Sequence, residues 1–157
     1  MIGSAVSVFA DSKDFNISVF DDDKAKNAVK KTKDSLKRTM RLKPYEEQER
    51  NYISNLITGS VFKATLDNTY SLAFGYGKFY YTLKQGGSRY SYLKNGTNVS
   101  VIKDQSDLVS GFAGKNVINS VKESLVYGVE TKGKGSVVYL VDDPLFRSFW
   151  ENGKLLF

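Results

Sequence analysis

The sequence predicts a mixed α/β fold, one domain with a layered sheet and flanking helices, and three of its features carry that reading. Val137-Val138-Tyr139-Leu140-Val141 is apolar at every position, as a strand covered on both faces would be. Ser60 to Leu66 and Phe79 to Lys84 read as further strands, the first of them alternating in side-chain parity. Between Lys24 and Lys43, Ala25, Val29, Thr32, Leu36 and Met40 fall on one helical face. The length of 157 residues suits a single domain, and a content of 41% hydrophobic and 13% aromatic residues is enough to build a core. Ten Tyr beside ten Phe suit half-buried sheet faces whose hydroxyls reach a polar rim.

Taken in order, Ile2 to Ala10 opens on small and apolar residues and predicts a short helix that finishes in solvent at Asp11-Ser12-Lys13-Asp14. Phe15 to Phe20 alternates, the pattern of a short strand or extended arm. An acidic turn, Asp21 to Asp23, leads into the Lys24 to Lys43 helix, which carries nine basic residues against the single acid Asp34. Pro44 ends or bends that helix. Tyr45 to Leu56 continues as a second one with i,i+4 pairs, stopped by Thr58-Gly59. After the Ser60 to Leu66 strand, Asp67-Asn68-Thr69 forms a turn, and the two glycines of Leu72 to Gly77 predict close backbone packing rather than a phosphate loop. Phe79 to Lys84 is a strand and Gln85 to Ser88 a loop. Tyr90 to Leu93 alternates briefly, and Asn95-Gly96 turns the chain into the strand Asn98 to Lys103.

Asp107 to Ala113 reads as strand or loop, and Lys115 to Glu123 as a short helix with Val117, Ile118 and Val121 inward. Leu125 to Glu130 pairs with Ser136 to Val141 as a β-hairpin across Thr131 to Gly135, the second strand being expected at the centre of the sheet. Asp143 then caps a helix with Pro144 at its first position. Leu145, Phe146, Phe149 and Trp150 form its inner face, and Asn152-Gly153 its stop.

The chemistry is bounded by two absences: the sequence has no Cys and no His. That excludes disulfides, thiol nucleophiles, Ser-His-Asp and Cys-His arrangements, and any zinc site built on histidine. Carboxylate chemistry remains open. Asp142 and Asp143, with Arg147 one helical turn on, lie beyond the end of the apolar strand, where α/β sheets place ligands. A structural role for this corner is the favoured reading: Asp143 caps, Asp142 bonds a neighbouring turn, and Arg147 pairs with one of them. The formal charge of +6 leans towards an anionic partner, and Lys30, Lys33, Lys37, Arg38 and Arg41 are the candidate anion-binding residues of the basic helix. A solvated surface helix, or a helical insertion whose charges keep it soluble, is the favoured reading of that segment. Nucleic acid is disfavoured because no aromatic residues are interleaved with the lysines. No apolar run is long enough to span a bilayer, and no signal peptide is visible. The patterns Asn16-Ile-Ser, Asn95-Gly-Thr and Asn98-Val-Ser fit the glycosylation sequon, a motif that also arises often by chance.

The stretches IGSAVSVFAD, VFKATLDNTYSLAFGYG, VSGFAGKNV and GKGSVVYLVDDPLFRSFWENGKLLF together resemble the C-terminal region of secreted zinc carboxypeptidases of Bacteroidetes type. In that family a peptidase domain is followed by one similar to class I glutamine amidotransferases. The resemblance covers most of the chain from Ser60 onward and a little of its start. Where the family has His-Pro in the middle motif, this chain has Tyr70-Ser71. The resemblance implies an amidotransferase/flavodoxin-like layered fold without amidotransferase chemistry. Residues 1–157 would then be one domain fragment, truncated at both ends, with a basic helical segment at 24–56. It further implies a non-catalytic accessory domain that stabilises the enzyme, positions substrate or binds a surface component. No cofactor is expected in this chain, since zinc would sit only in an upstream peptidase domain of the same polypeptide, its first partner. Self-association through an exposed sheet edge is a second expectation. The parent would be secreted or in the cell envelope. The alternative function is a basic binding module for an anionic polymer, acting through the Lys24 to Lys43 helix.

Overall fold

The computed structural model describes residues 2–10, 12–19, 42–148 and 151–156. The basic segment, with Lys30, Lys33, Lys37, Arg38 and Arg41, lies outside the described residues, as do Phe149 and Trp150. A 3-10 turn at Gly3–Ala5 leads into the short helix α1 (Val6–Phe9). Helix α2 (Tyr45–Ser54) follows, then the strands β1 (Ile57–Leu66), β2 (Phe79–Lys84), β3 (Thr97–Ile102) and β4 (Leu108–Ala113). Helix α3 (Lys115–Val121) precedes the closing strands β5 (Ser124–Lys132) and β6 (Gly135–Leu140).

The mixed α/β class stands, but every pair of strands in the six-stranded sheet is antiparallel, in the order β2-β1-β3-β5-β6 with β4 also on β1. The layering of a doubly wound fold would need parallel neighbours joined by crossover helices, so these pairings do not describe it. Strand β1 is long enough to serve three partners. Ser60 to Thr65 pairs with β2, and the other edge is divided between β4, along Ile57 to Phe62, and β3, at Thr65 and Leu66. A strand that divides its edge in this way cannot lie in a flat sheet. The two outermost strands of the order come within hydrogen-bonding reach of each other, because Thr82 of β2 bonds Asp142 just past β6. The sheet therefore curls.

Inside the curl, Phe62, Ala64 and Leu66 of β1 pack with Val99, Ile102, Val126, Tyr127 and Leu140, closed at one end by Val117 and Val121 of α3. A second cluster gathers Val6, Ile17, Tyr90, Leu93, Leu125, Tyr139 and Val141, so the N-terminal residues cover what would otherwise be an open sheet face. Each fully buried large apolar side chain in these clusters contributes about 1.5–3 kcal/mol.

Several expectations change. The strand buried along most of its length is β5, from Ser124 to Glu130, whereas β6, which holds Val137 to Leu140 of the all-apolar run, is the outermost strand. Apolar continuity there reflects the curl and the N-terminal cover, not a central place in the sheet. The β5–β6 hairpin is tighter than expected, with only Gly133-Lys134 between paired Lys132 and Gly135. Gly133 has φ +60, as the first central position of a primed hairpin turn requires. Helix α2 ends at Ser54, and Gly59 sits inside β1 at a register shift rather than stopping the helix. Of its expected ion pairs Glu46 with Arg50 is present at 2.6 Å, and Lys43, just before the helix, reaches Glu47 at 3.3 Å, on a helix with no buried residue.

The aromatic helix expected after Pro144 does not form as such. The described backbone has 3-10 pieces at Phe146–Ser148 and Glu151–Leu156, broken where Arg147 adopts φ +52. Asn152-Gly153 lies within the second piece instead of ending a helix. The reason is steric and polar together. Gly153 packs directly on the Pro144 carbonyl, Asn152 donates to the Tyr81 carbonyl at 2.7 Å, and Tyr76 donates to the Asn152 carbonyl at 2.5 Å. These ties lay the segment along the outer edge of β2 and hold it in a tighter path than an α-helix would take.

Candidate functional site

The corner containing Asp142 and Asp143 is built by strand parity. Tyr80, Thr82 and Lys84 alternate onto the buried side of β2, and all three are nearly or fully inaccessible. β6 delivers Val141 and Asp142 opposite them. Lys84 Nζ donates to Asp142 Oδ1 at 3.1 Å and to the Ser88 carbonyl at 3.3 Å, while Thr82 Oγ1 donates to Asp142 Oδ2 at 2.7 Å. The Lys84 side chain is 0% exposed and that of Asp142 13%, so a desolvated ion pair joins the two outer strands of the curl. Such a pair holds only because both charges are hydrogen-bonded; either one alone would be a large burial cost.

Asp143 is exposed, and its Oδ1 accepts from the Leu145 amide at 2.9 Å, closing a local turn where a helix cap was expected. Arg147 is not brought to the corner. Its guanidinium lies over the Phe146 ring at 5.1 Å, and among the described residues it makes no ion pair with Asp142 or Asp143. The left-handed break at Arg147 separates it from the helical position that one-turn spacing assumed. A cleft of about 290 Å³ opens beside the corner, lined by Ser4, Ser7, Gln85, Ser88, Asp142 and Asp143 among others.

A second buried polar group lies on the other side of the hairpin. Glu130 is 1% exposed; its Oε1 accepts from the Tyr139 hydroxyl at 2.8 Å and its Oε2 from the Asn16 amide at 3.0 Å. Burial, then the bond to Glu130 and its negative charge, push the Tyr139 phenol well above its ordinary range. Burial likewise raises Tyr127 and Tyr92. The arm from Ser12 to Val19 is tied down by the Glu130 contact, by Ser91 donating to the Ser18 carbonyl at 3.0 Å, and by Lys132 Nζ donating to the Asp14 carbonyl.

Sequence reasoning nominated Asp142 and Asp143 but missed Lys84, Thr82, Glu130 and Tyr139. The signal for Lys84 and Thr82 was the shared parity of Tyr80, Thr82 and Lys84; only the curl decides that this parity faces inward. Among the described residues no three His, Cys, Asp or Glu side chains gather as metal ligands would. The chain matches no protein-family model, no curated protein and no solved structure.

Proposed function

We propose that the chain is a non-catalytic accessory domain of a zinc carboxypeptidase-related protein, serving to stabilise the enzyme, position substrate or bind a surface component. The observation that carries the reading is the state of Asp142. Both of its oxygens are engaged, by Lys84 and by Thr82, in holding the outer strands together, so the one carboxylate of the corner with a buried partner acts as a clamp. The sequence motifs quoted above supply the link to the peptidase. Kinship with amidotransferase-like domains belongs to the same proposal and rests on those motifs alone, the antiparallel sheet lending it no support. Zinc, the peptidase activity and the envelope or secreted location would then be properties of the parent.

The test is the parent reading frame, expressed with and without residues 1–157. The proposal expects an upstream peptidase whose thermal stability or substrate affinity falls on removal of this domain, and whose turnover survives Asp142→Asn and Asp143→Asn. An upstream region with no peptidase, or hydrolysis by the isolated chain that is lost in the Asp142→Asn, Asp143→Asn double variant, would overturn it.

A further inference from the structure

The outer face of β1 and β2 is fixed by the same parity that buries Lys84. With Phe62, Ala64, Tyr80 and Thr82 inside, the register Thr65 to Phe79 and Lys63 to Tyr81 places Phe79, Tyr81 and Lys63 together on the outside. Phe79 is 45% exposed and Tyr81 38%, on a strand whose inward residues are essentially inaccessible. Lys63 Nζ sits 3.7 Å from the centre of the Phe79 ring, which orients both the ring and the charge. Across β1, Phe112 of β4 stands opposite Gly59 and is 46% exposed. The outward residues of β1 and β2 include one cation and no acid; of the acids that follow, Asp67 at the end of β1 accepts from Thr69, and Glu151, in the segment that touches β2, is paired with Lys154 at 3.0 Å.

We propose that this face binds an acidic polysaccharide, one sugar unit stacking on Tyr81, the next packing against the side of the Phe79 ring that Lys63 leaves open, and an anionic substituent meeting Lys63. Residues i and i+2 of a strand place their rings about 7 Å apart on one face, a separation that suits neighbouring units of a chain lying along β2. A ring presents a partially negative face to the C–H groups of a sugar, so stacking needs no base-specific or side-chain-specific pocket. The cation and the overall charge of +6 select an anionic chain over a neutral one. The site names the chemistry of the surface component in the accessory role and rests on that role.

Native affinity electrophoresis of the full chain through polygalacturonate, dextran or no polymer tests it, with a single-stranded oligonucleotide as competitor. Retardation by polygalacturonate at low salt is expected, with less by dextran. Phe79→Ala and Tyr81→Ala should each weaken it roughly tenfold, and Lys63→Gln should abolish the preference for the anionic polymer. Circular dichroism establishes that each variant is folded. No retardation of the folded wild type, retardation unchanged in the Phe79→Ala, Tyr81→Ala double variant, or tighter binding of the oligonucleotide would each overturn the proposal. A domain that stabilises its parent peptidase but shows no ring-dependent retardation overturns the glycan site alone. Ring-dependent retardation in a chain with no upstream peptidase overturns the accessory role alone.

Discussion

Replacing Asp142 by alanine strips from a fully buried lysine the one carboxylate paired with it among the described residues. Lys84 would keep one bond, to the Ser88 carbonyl, and Thr82 would lose its acceptor. Removing one partner of a buried pair costs about 3–5 kcal/mol, and because Asp142 lines a cleft that water reaches, the lower end, about 3 kcal/mol, is expected. For a chain of this size that corresponds to a fall in Tm of roughly 6–12 °C. Lys84→Met should cost less, about 1–2 kcal/mol, since the stranded group is then a carboxylate with some solvent access and the Thr82 bond retained. The informative variant is the double, Lys84→Met with Asp142→Leu. It removes both charges and fills the space with apolar atoms, so it should recover most of the loss and end within about 1 kcal/mol of the parent. Urea unfolding followed by far-UV circular dichroism reads all three. A double variant as unstable as the sum of the singles, or an Asp142→Ala cost below about 1 kcal/mol, would refute the clamp.

Glu130→Ala leaves the Tyr139 hydroxyl and the Asn16 amide without their shared acceptor; a loss of about 1–3 kcal/mol is expected, with protease cleavage appearing first between Ser12 and Val19. Tyr139 has its folded pKa raised above the unfolded value, so the folded state holds its proton more tightly. Its contribution is fully present below about pH 10 and is lost as pH rises beyond it, which a spectrophotometric tyrosine titration beside alkaline unfolding curves would show. Ser100 is fully buried in β3 and its hydroxyl has no partner among the described residues, so Ser100→Ala should raise stability by about 1 kcal/mol in the same urea assay. Gly153→Ala would drive a methyl into the Pro144 carbonyl; detachment of the closing segment from β2, seen as faster amide exchange at Tyr81, is expected together with concentration-dependent aggregation.

Local patterns foretold most strands and both longer described helices, because alternation, turn residues and helical periodicity act within a few residues. Phe79 to Lys84 matches β2 at both ends, and α2 carries the Glu46–Arg50 pair its spacing demanded. What escaped was set by long-range geometry. An all-apolar run such as Val137 to Val141 is compatible with a central parallel strand or an outer strand that something else covers, and only the N-terminal residues decide between them. The same holds for the site. A lysine at the end of a strand reads as a solvent-facing gatekeeper until the sheet curls and presents it to a carboxylate 58 positions away. The break at Arg147 was equally hidden, since Leu145 and Phe146 have ordinary helical spacing and it is the anchorage of Asn152 and Gly153 that forces another path.

The cover supplied by the first residues has a consequence for how the molecule comes to exist. Ile2 bridges Leu140, Val6 and Ile17 pack with Leu125 and Tyr139, and the Asn16 amide reaches Glu130. On a ribosome these apolar residues would therefore wait for the β5–β6 hairpin before meeting their partners. Contacts of such sequence separation make folding slow, and they leave Val6, Phe15 and Ile17 open to other surfaces throughout synthesis. A chaperone that holds short apolar segments would find its substrate here, and its release would be timed by the synthesis of β6.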